Sequence, residues 1–221
     1  MRAIVTGSSR GLGKAISQRL AHEGYQLSLI SRDGSMLQSN ISQLPNSNLH
    51  KVIPFDLIND DLNTLGPEFE GCSVLINCAG MTNYSLLART DIKEIEDTIR
   101  LNLTVPIILS KLAYKPMMKN KSTKIPVIIN ISSILSLPEY KLPGTSVYSA
   151  SKSGLDAFTT SLSNEFKGKV RVNSILPGLI RGTDMGAKVK SDIESVDMEK
   201  VVEKVIDVIT NNSNGETLVV K

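Results

Sequence analysis

Cysteine and histidine are scarce in this chain, with two of each among 221 residues. Cys72 and Cys78 make no paired framework of the secreted kind, which points to a reducing compartment. Neither stands in a metal-ligand spacing, and His22 and His50 lie far from each other and from both cysteines, so no metal is expected. The two histidines match no motif and read as surface or core residues. Apolar runs are short: none reaches the ~18 residues of a membrane span, so no span is expected. Positive charge is modest and dispersed. The net charge is +3, and the densest basic run, KNKSTK at 119–124, falls short of the clustered stripe of a nucleic-acid binder. No nucleic-acid partner is expected. The N-terminus enters RAIVTG almost at once, so no conventional presequence is expected before the fold.

What the chain does contain is alternation. AIVTG (3–7), YQLSLIS (25–31), KVIPFD (51–56), SVLINCAG (73–80), PVIINISS (126–133), VRVNSILPG (170–178) and ETLVV (216–220) read as buried strands. Helical spacing fills 11–23, 91–118, 147–166 and 197–210, the last with one stripe of Met198, Val201, Val202, Val205, Ile206 and Ile209. Strands alternating with helices predict an α/β fold, a doubly wound parallel sheet covered on both faces. No linker-like shift in composition divides residues 1–221, so one domain is predicted.

The first strand runs into TGSSRGLG (6–13) and then directly into a helix. Glycines at 7, 11 and 13 let the backbone turn tightly and approach a pyrophosphate at the helix N-terminus, so this turn predicts dinucleotide binding. NAD sites commonly place an acid near the end of the second strand, whereas a 2′-phosphate needs cations. Here that strand ends in Ser31 and Arg32, and Arg10 lies in the turn. Two guanidiniums can grip a phosphate, so NADP(H) is the expected cofactor. Asp33 falls one residue late for the ribose and suits the start of the next helix.

YSASK (148–152) places a phenol and an ammonium one helical turn apart with small residues between them. Making a phenol of pKa ~10 readily acidic near neutrality asks for about three units, or roughly 4 kcal/mol. A cation ~4 Å away supplies about that at an effective dielectric near 20. The expectation is therefore that Lys152 lowers the pKa of Tyr148.

TGSSRGLG, NCAG (77–80), the asparagine of LNLT (101–104), NISS (130–133), YSASK and PGLIRGTDM (177–185) follow one another as the motifs of the short-chain dehydrogenase/reductases do. Over nearly its whole length the chain resembles that family, and more narrowly the mitochondrial 3-oxoacyl-[acyl-carrier-protein] reductases of yeasts. The resemblance implies a Rossmann-type fold and a catalytic set of Asn102, Ser133, Tyr148 and Lys152, with Ser133 rather than Ser132 active. It implies cofactor contacts at Thr6, Gly7, Ser9, Arg10, Gly11, Leu12 and Gly13 in the turn, and at Ser31, Arg32 and Asp56 around the adenosine. Asn77, Ala79 and Gly80 would lie beside it, and Pro177, Gly178 and Thr183 at the nicotinamide end. Tyr148 and Lys152 would touch the cofactor as well.

The implied activity is NADPH-dependent reduction of a 3-oxoacyl group on acyl-carrier protein in mitochondrial fatty acid synthesis, by a homotetramer, with a cytoplasmic location as the alternative. A broader carbonyl or quinone reductase is the nearest rival, and a non-catalytic nucleotide-binding scaffold a more distant one. Cys78 replaces the family's usual second asparagine and reads as a small buried hydrophobe. The segment from Ser133 to Tyr148 is about two residues longer than in most bacterial relatives, and that from Thr183 to GETLVV shorter by well over a dozen. Lys119, Lys121, Lys124, Lys167 and Lys169 are candidate contacts for an acidic carrier.

Overall fold

A computed structural model describes residues 1–120, 124–140, 142–183 and 195–221. In chain order it comprises β1 (Arg2–Thr6), α1 (Gly11–His22), β2 (Gln26–Ser31), α2 (Gly34–Ser42), β3 (Lys51–Pro54), β4 (Cys72–Asn77), α3 (Ile92–Ile99) and α4 (Val105–Lys119). There follow β5 (Val127–Ile131), α5 (Ser146–Glu165), β6 (Arg171–Pro177), β7 (Leu179–Ile180), β8 (Ser195–Val196), α6 (Met198–Thr210) and β9 (Thr217–Val220).

Seven strands form one sheet in the order β3-β2-β1-β4-β5-β6-β9, and every neighbouring pair is parallel. The alternation read from the sequence produces this sheet. Period-2 side chains then divide the core between two faces. Ala3, Val5, Ile129 and Ile131 face α1, α2 and α6, whereas Ile4 and Ile128 face α4, α5 and the 3-10 segment Leu62–Phe69. The order runs outwards from β1 in one direction and from β4 in the other. In open α/β sheets the crevice at that reversal, above the carboxyl ends of the strands, is where ligands bind.

Two elements carry no sign in the patterning above, and a third, α2, is marked there only by Asp33. Helix α2 exists because Asp33 caps it: its Oδ1 accepts from Met36 N at 2.9 Å, and Leu37 and Ile41 are buried one turn apart. β7 and β8 pair in a separate two-stranded parallel sheet. The helix expected over 91–118 is interrupted by a π turn at Arg100–Thr104, closed by a bond from Val105 N to the Arg100 carbonyl. Pro106 stands four residues after Asn102 and brings no N–H for its carbonyl, so the α register cannot run unbroken there.

Arg171 shows how the far end of the sheet is tied down. Only 7 % exposed, it donates to the carbonyls of Val208 (2.8 Å), Ile209 (2.9 Å) and Ser213 (3.2 Å), closing the C-terminal end of α6. Replacing it with alanine strands these acceptors. The expected cost is about 3 kcal/mol, read as a fall of roughly 6–12 °C in Tm, with coenzyme affinity unaffected. Calorimetry and a binding titration check both halves.

Candidate active site

The glycine turn at the end of β1 is built for close backbone approach. Gly7 has φ +68°, and a Cβ there would stand 2.8 Å from Ala79 Cα. A Cβ on Gly13 would collide with the carbonyl oxygen of Gly7, so only glycine lets α1 begin this close to the strand. Thr6 Oγ1 accepts from the backbone N–H groups of Cys78 and Ala79, both at 3.0 Å, and so fastens the end of β1 to that of β4. Asn40 on α2 donates to the Ser9 carbonyl at 2.8 Å, a brace for the turn that no motif announced. Leu12 points into the core, which leaves its backbone as the part facing the turn. Across the crevice Thr183 Cγ2 lies 3.7 Å from where a Gly11 Cβ would be, and Thr183 Oγ1 donates to the Ile180 carbonyl at 3.0 Å.

At the other end of this crevice Ser31 closes β2 and Arg32 is exposed, as is Arg10 in the glycine turn. Asp56 follows β3 and accepts from Ile58 N and Asn59 Nδ2, each at 2.9 Å. Burial pushes its carboxyl up, but these bonds and the nearby Arg32 charge prevail and hold it below the usual carboxylate range. Arg32 and Asp56 are thus brought together at the ends of adjacent strands. Asp33 is occupied as the α2 cap, with Ser35 Oγ donating to it at 2.8 Å.

The second half of the site gathers on β4, β5 and α5. Asn77 donates to Asn130 Oδ1 at 2.8 Å, and Asn130 to Thr159 Oγ1 at 2.8 Å, a buried polar link across three elements. Pro177 ends β6, and the next residue, Gly178, bonds to Val220 of β9 at 2.9 Å. Ser132 and Ser133 part ways at the end of β5. Ser132 Oγ turns inward to the Lys152 carbonyl (3.4 Å), whereas Ser133 accepts from Leu135 N (3.2 Å) and its hydroxyl faces the Tyr148 phenol.

Asn102, in the π turn, is fully buried. Its Nδ2 donates to the Met81 carbonyl (2.9 Å) and Ser151 Oγ (3.0 Å), and its Oδ1 accepts from Met81 N (2.9 Å). A Cβ on Gly80 would stand 3.3 Å from Asn102 Oδ1 and 3.6 Å from Lys152 Nζ, so glycine here keeps open the floor on which these groups meet. The turn, the open floor and the convergent Tyr148, Ser133 and Lys152 fit a dinucleotide lying across the crevice with its reactive end at Tyr148.

The expected effect of Lys152 on Tyr148 does not appear. Lys152 Nζ donates to the Ile131 carbonyl at 2.8 Å and lies 5.8 Å from the centroid of the Tyr148 ring. Burial dominates both groups: it raises the phenol's pKa, opposed by the Ser133 hydroxyl, and lowers that of Lys152 to about 8. Tyr148 therefore keeps its proton throughout the neutral range, the form a proton donor needs. Cys78 is also governed by burial, its thiol pushed up to about 12, which suits an inert small side chain.

The basic candidates lie elsewhere. Lys119 and Lys124 precede β5, and Lys167 and Lys169 follow α5 just before β6, at the opposite end of the sheet from Tyr148. Glu165 stands seventeen positions after Tyr148 on α5, roughly 25 Å along the axis. They do not border the crevice of this chain. Lys121, the Asp184–Met185 end of PGLIRGTDM and the segment 184–194 lie outside the described residues.

A parallel sheet with a glycine turn at its first crossover and a Tyr-Lys pair over its carboxyl end is the arrangement of a dehydrogenase or reductase domain. The chain belongs to the short-chain dehydrogenase family, whose sequence model, described as short chain dehydrogenase, matches residues 1–194, and it is an oxidoreductase of that family. It is 34 % identical over 191 residues to carbonyl reductase family member 4 of Danio rerio, covering 84 % of this chain and 77 % of that one. It is 33 % identical over 194 residues to the 3-oxoacyl-[acyl-carrier-protein] reductase of Mus musculus, covering 85 % and 78 %. Among solved structures, 4-hydroxyisoleucine dehydrogenase complexed with NADH superposes with a TM-score of 0.84 at 23 % identity, over 100 % of this chain and 96 % of the other. A bulky-bulky ketone specific alcohol dehydrogenase from Comamonas testosteroni gives 0.82 at 23 % identity, over 99 % and 85 %. These two likenesses establish the fold.

Proposed function

We propose that the chain reduces the 3-keto group of a 3-oxoacyl chain carried on acyl-carrier protein, with NADPH as reductant. The observation that carries the reaction type is the buried Tyr148 phenol, kept protonated by its burial and faced by the Ser133 hydroxyl. When bound, NADPH supplies the hydride. As negative charge grows on the substrate oxygen, the Ser133 hydroxyl donates a hydrogen bond to it and Tyr148 releases its proton to it. Lys152, held by the Ile131 carbonyl, presents a cation below both groups and a donor to the coenzyme ribose. Asn102 fixes the loop at Met81 through both ends of its amide, and its carbonyl, deprived of a donor at Pro106, suits a water that returns protons towards Lys152.

NADP is preferred on the charges at the adenosine end. Arg10 and Arg32 are exposed there, and the nearby acid Asp33 is committed to its helix cap. The carrier-bound substrate is supported by the mouse relative's name, and the rival carbonyl reductase by that of the zebrafish relative. A homotetramer and a mitochondrial location, with the cytoplasm as the alternative, complete the proposal; the exposed Ile107 on α4 is an apolar surface suited to association.

The deciding experiment follows coenzyme oxidation with acetoacetyl-carrier protein against free ketones and quinones, each with NADPH and NADH. The expected result is kcat/KM at least about tenfold higher for NADPH, consistent with a charge-assisted phosphate contact, and higher for the carrier-bound substrate than for free ketones. Equal use of NADH overturns the cofactor assignment, and preference for quinones or free ketones favours the broader reductase.

A further inference from the structure

Asp156 belongs to no motif, yet it lies one helical turn beyond Lys152 on α5, as Lys152 lies one turn beyond Tyr148. Residues at this spacing share a helix face. Its Oδ1 is buried without a hydrogen-bond partner. Hydroxyls of Ser132, Ser136 and Ser174 face the carboxyl, but each also has another acceptor in reach. Ser132 Oγ reaches the Lys152 carbonyl (3.4 Å), Ser136 Oγ the Ser133 carbonyl (2.8 Å) and Ser174 Oγ Thr159 Oγ1 (3.0 Å). The side chain is half-buried, and burial raises its carboxyl, opposed by these hydroxyls and by the Lys152 charge, so a cation beside it helps keep it ionised. Among the described residues, Lys152 is the cation whose charge acts on it.

We propose that Asp156 is the counter-charge of Lys152, keeping its ammonium a cation beneath the site and so setting the alkaline limit of ketone reduction. It is a positioning residue, acting through Lys152, and this role rests on the reading of Lys152 as cationic during turnover. The groups facing Lys152 are the Cys78 thiol beyond β4, the Ile131 carbonyl of β5, and Tyr148 and Asp156 on α5 itself. Tyr148 in turn faces Tyr84, Cys78 and Asp156. Burial draws Lys152 down to about 8, and Cys78 and Asp156 oppose it. Cys78, pushed up to about 12, is neutral in the working range, which leaves the carboxylate as the negative charge in play. Without that charge the ammonium deprotonates at lower pH, and the alkaline limb of turnover moves down with it.

The test is the Asp156→Asn protein, read by the pH profile of kcat and by NMR titration of Lys152 in 13C-lysine-labelled protein. Both the limb and the Lys152 midpoint should move down by about 0.5 to 1 pH unit, and Asp156→Glu should recover most of the displacement. A folded Asp156→Asn protein with an unmoved Lys152 midpoint overturns the proposal. Should that variant fail to fold, Lys152→Met supplies the reciprocal reading: the Asp156 carboxyl, followed by 13C NMR, should titrate about 0.5 to 1 pH unit higher, and an unchanged midpoint is equally fatal. If the wild-type protein reduces no ketone, the functional reading falls, and the two NMR titrations still decide this one.

Discussion

A Tyr148→Phe protein is expected to lose at least about a thousandfold in kcat for ketone reduction while binding coenzyme within about twofold of wild type. The phenol is the proton donor of the site, and phenylalanine keeps the ring while deleting only the hydroxyl. The ring is almost wholly buried, and phenylalanine fills the same space. What disappears is the hydroxyl that faces Ser133 and the proton itself. Because burial raises the phenol's pKa, wild-type Tyr148 stays protonated well above neutrality, and no loss of activity at neutral pH should trace to its ionisation. Stopped-flow hydride transfer and a fluorescence titration of coenzyme separate chemistry from binding. A variant with near-normal turnover would mean that another group protonates the oxygen.

Much of this could be read from the residues, and the parts that could not share a cause. VIINI at β5 and the run at β4 are wholly buried, and parallel strands covered on both faces write themselves as nearly continuous apolar segments; β6 is as buried but carries Arg171, Asn173 and Ser174. GSMLQSNIS at α2 does not: two buried apolar side chains in a polar stretch gave no stripe, and its sign was the cap Asp33. The glycine turn was legible because backbone clashes force glycine wherever they occur. The tyrosine and lysine were legible as a spacing, but their electrostatics were not. Spacing on a helix says which face Lys152 shares, and it does not say that Nζ will find the Ile131 carbonyl at 2.8 Å instead of approaching the phenol. Nor does it say how strongly burial will act. Asp156 carries no sign in the sequence for the same reason, since the hydroxyls that face it, those of Ser132, Ser136 and Ser174, come from just after β5, the turn beyond it and β6. The π turn at Asn102 did leave a trace, Pro106 four residues later, which a reading tuned to helical periodicity overlooked.

Lys152→Met should separate the two members of the pair. Methionine matches the length and burial of the lysine stem but carries no charge, so kcat is expected to fall by about a hundredfold to ten-thousandfold. Unlike Tyr148→Phe, it should also raise the coenzyme KM, because the ammonium is the donor assigned to the ribose. Its effect on stability is a contest. Lowering Lys152 from 10.5 to about 8 corresponds to roughly 3 kcal/mol against the buried cation, which methionine removes. Against that stand the Ile131 carbonyl left without its donor and the Asp156 carboxylate left without its cation, each costing about 1–3 kcal/mol. The net runs from about 1 kcal/mol of gain to about 3 kcal/mol of loss, so Tm should rise by no more than about 4 °C or fall by no more than about 12 °C. The sign of the pH dependence follows from the same group. Wild-type protein loses the cation as pH rises through about 8, so its reductase activity should decline there, and the residual activity of Lys152→Met should show no such limb. A Lys152→Met profile that retains the wild-type limb would assign it to a different group and remove the lysine from the proton balance of the site.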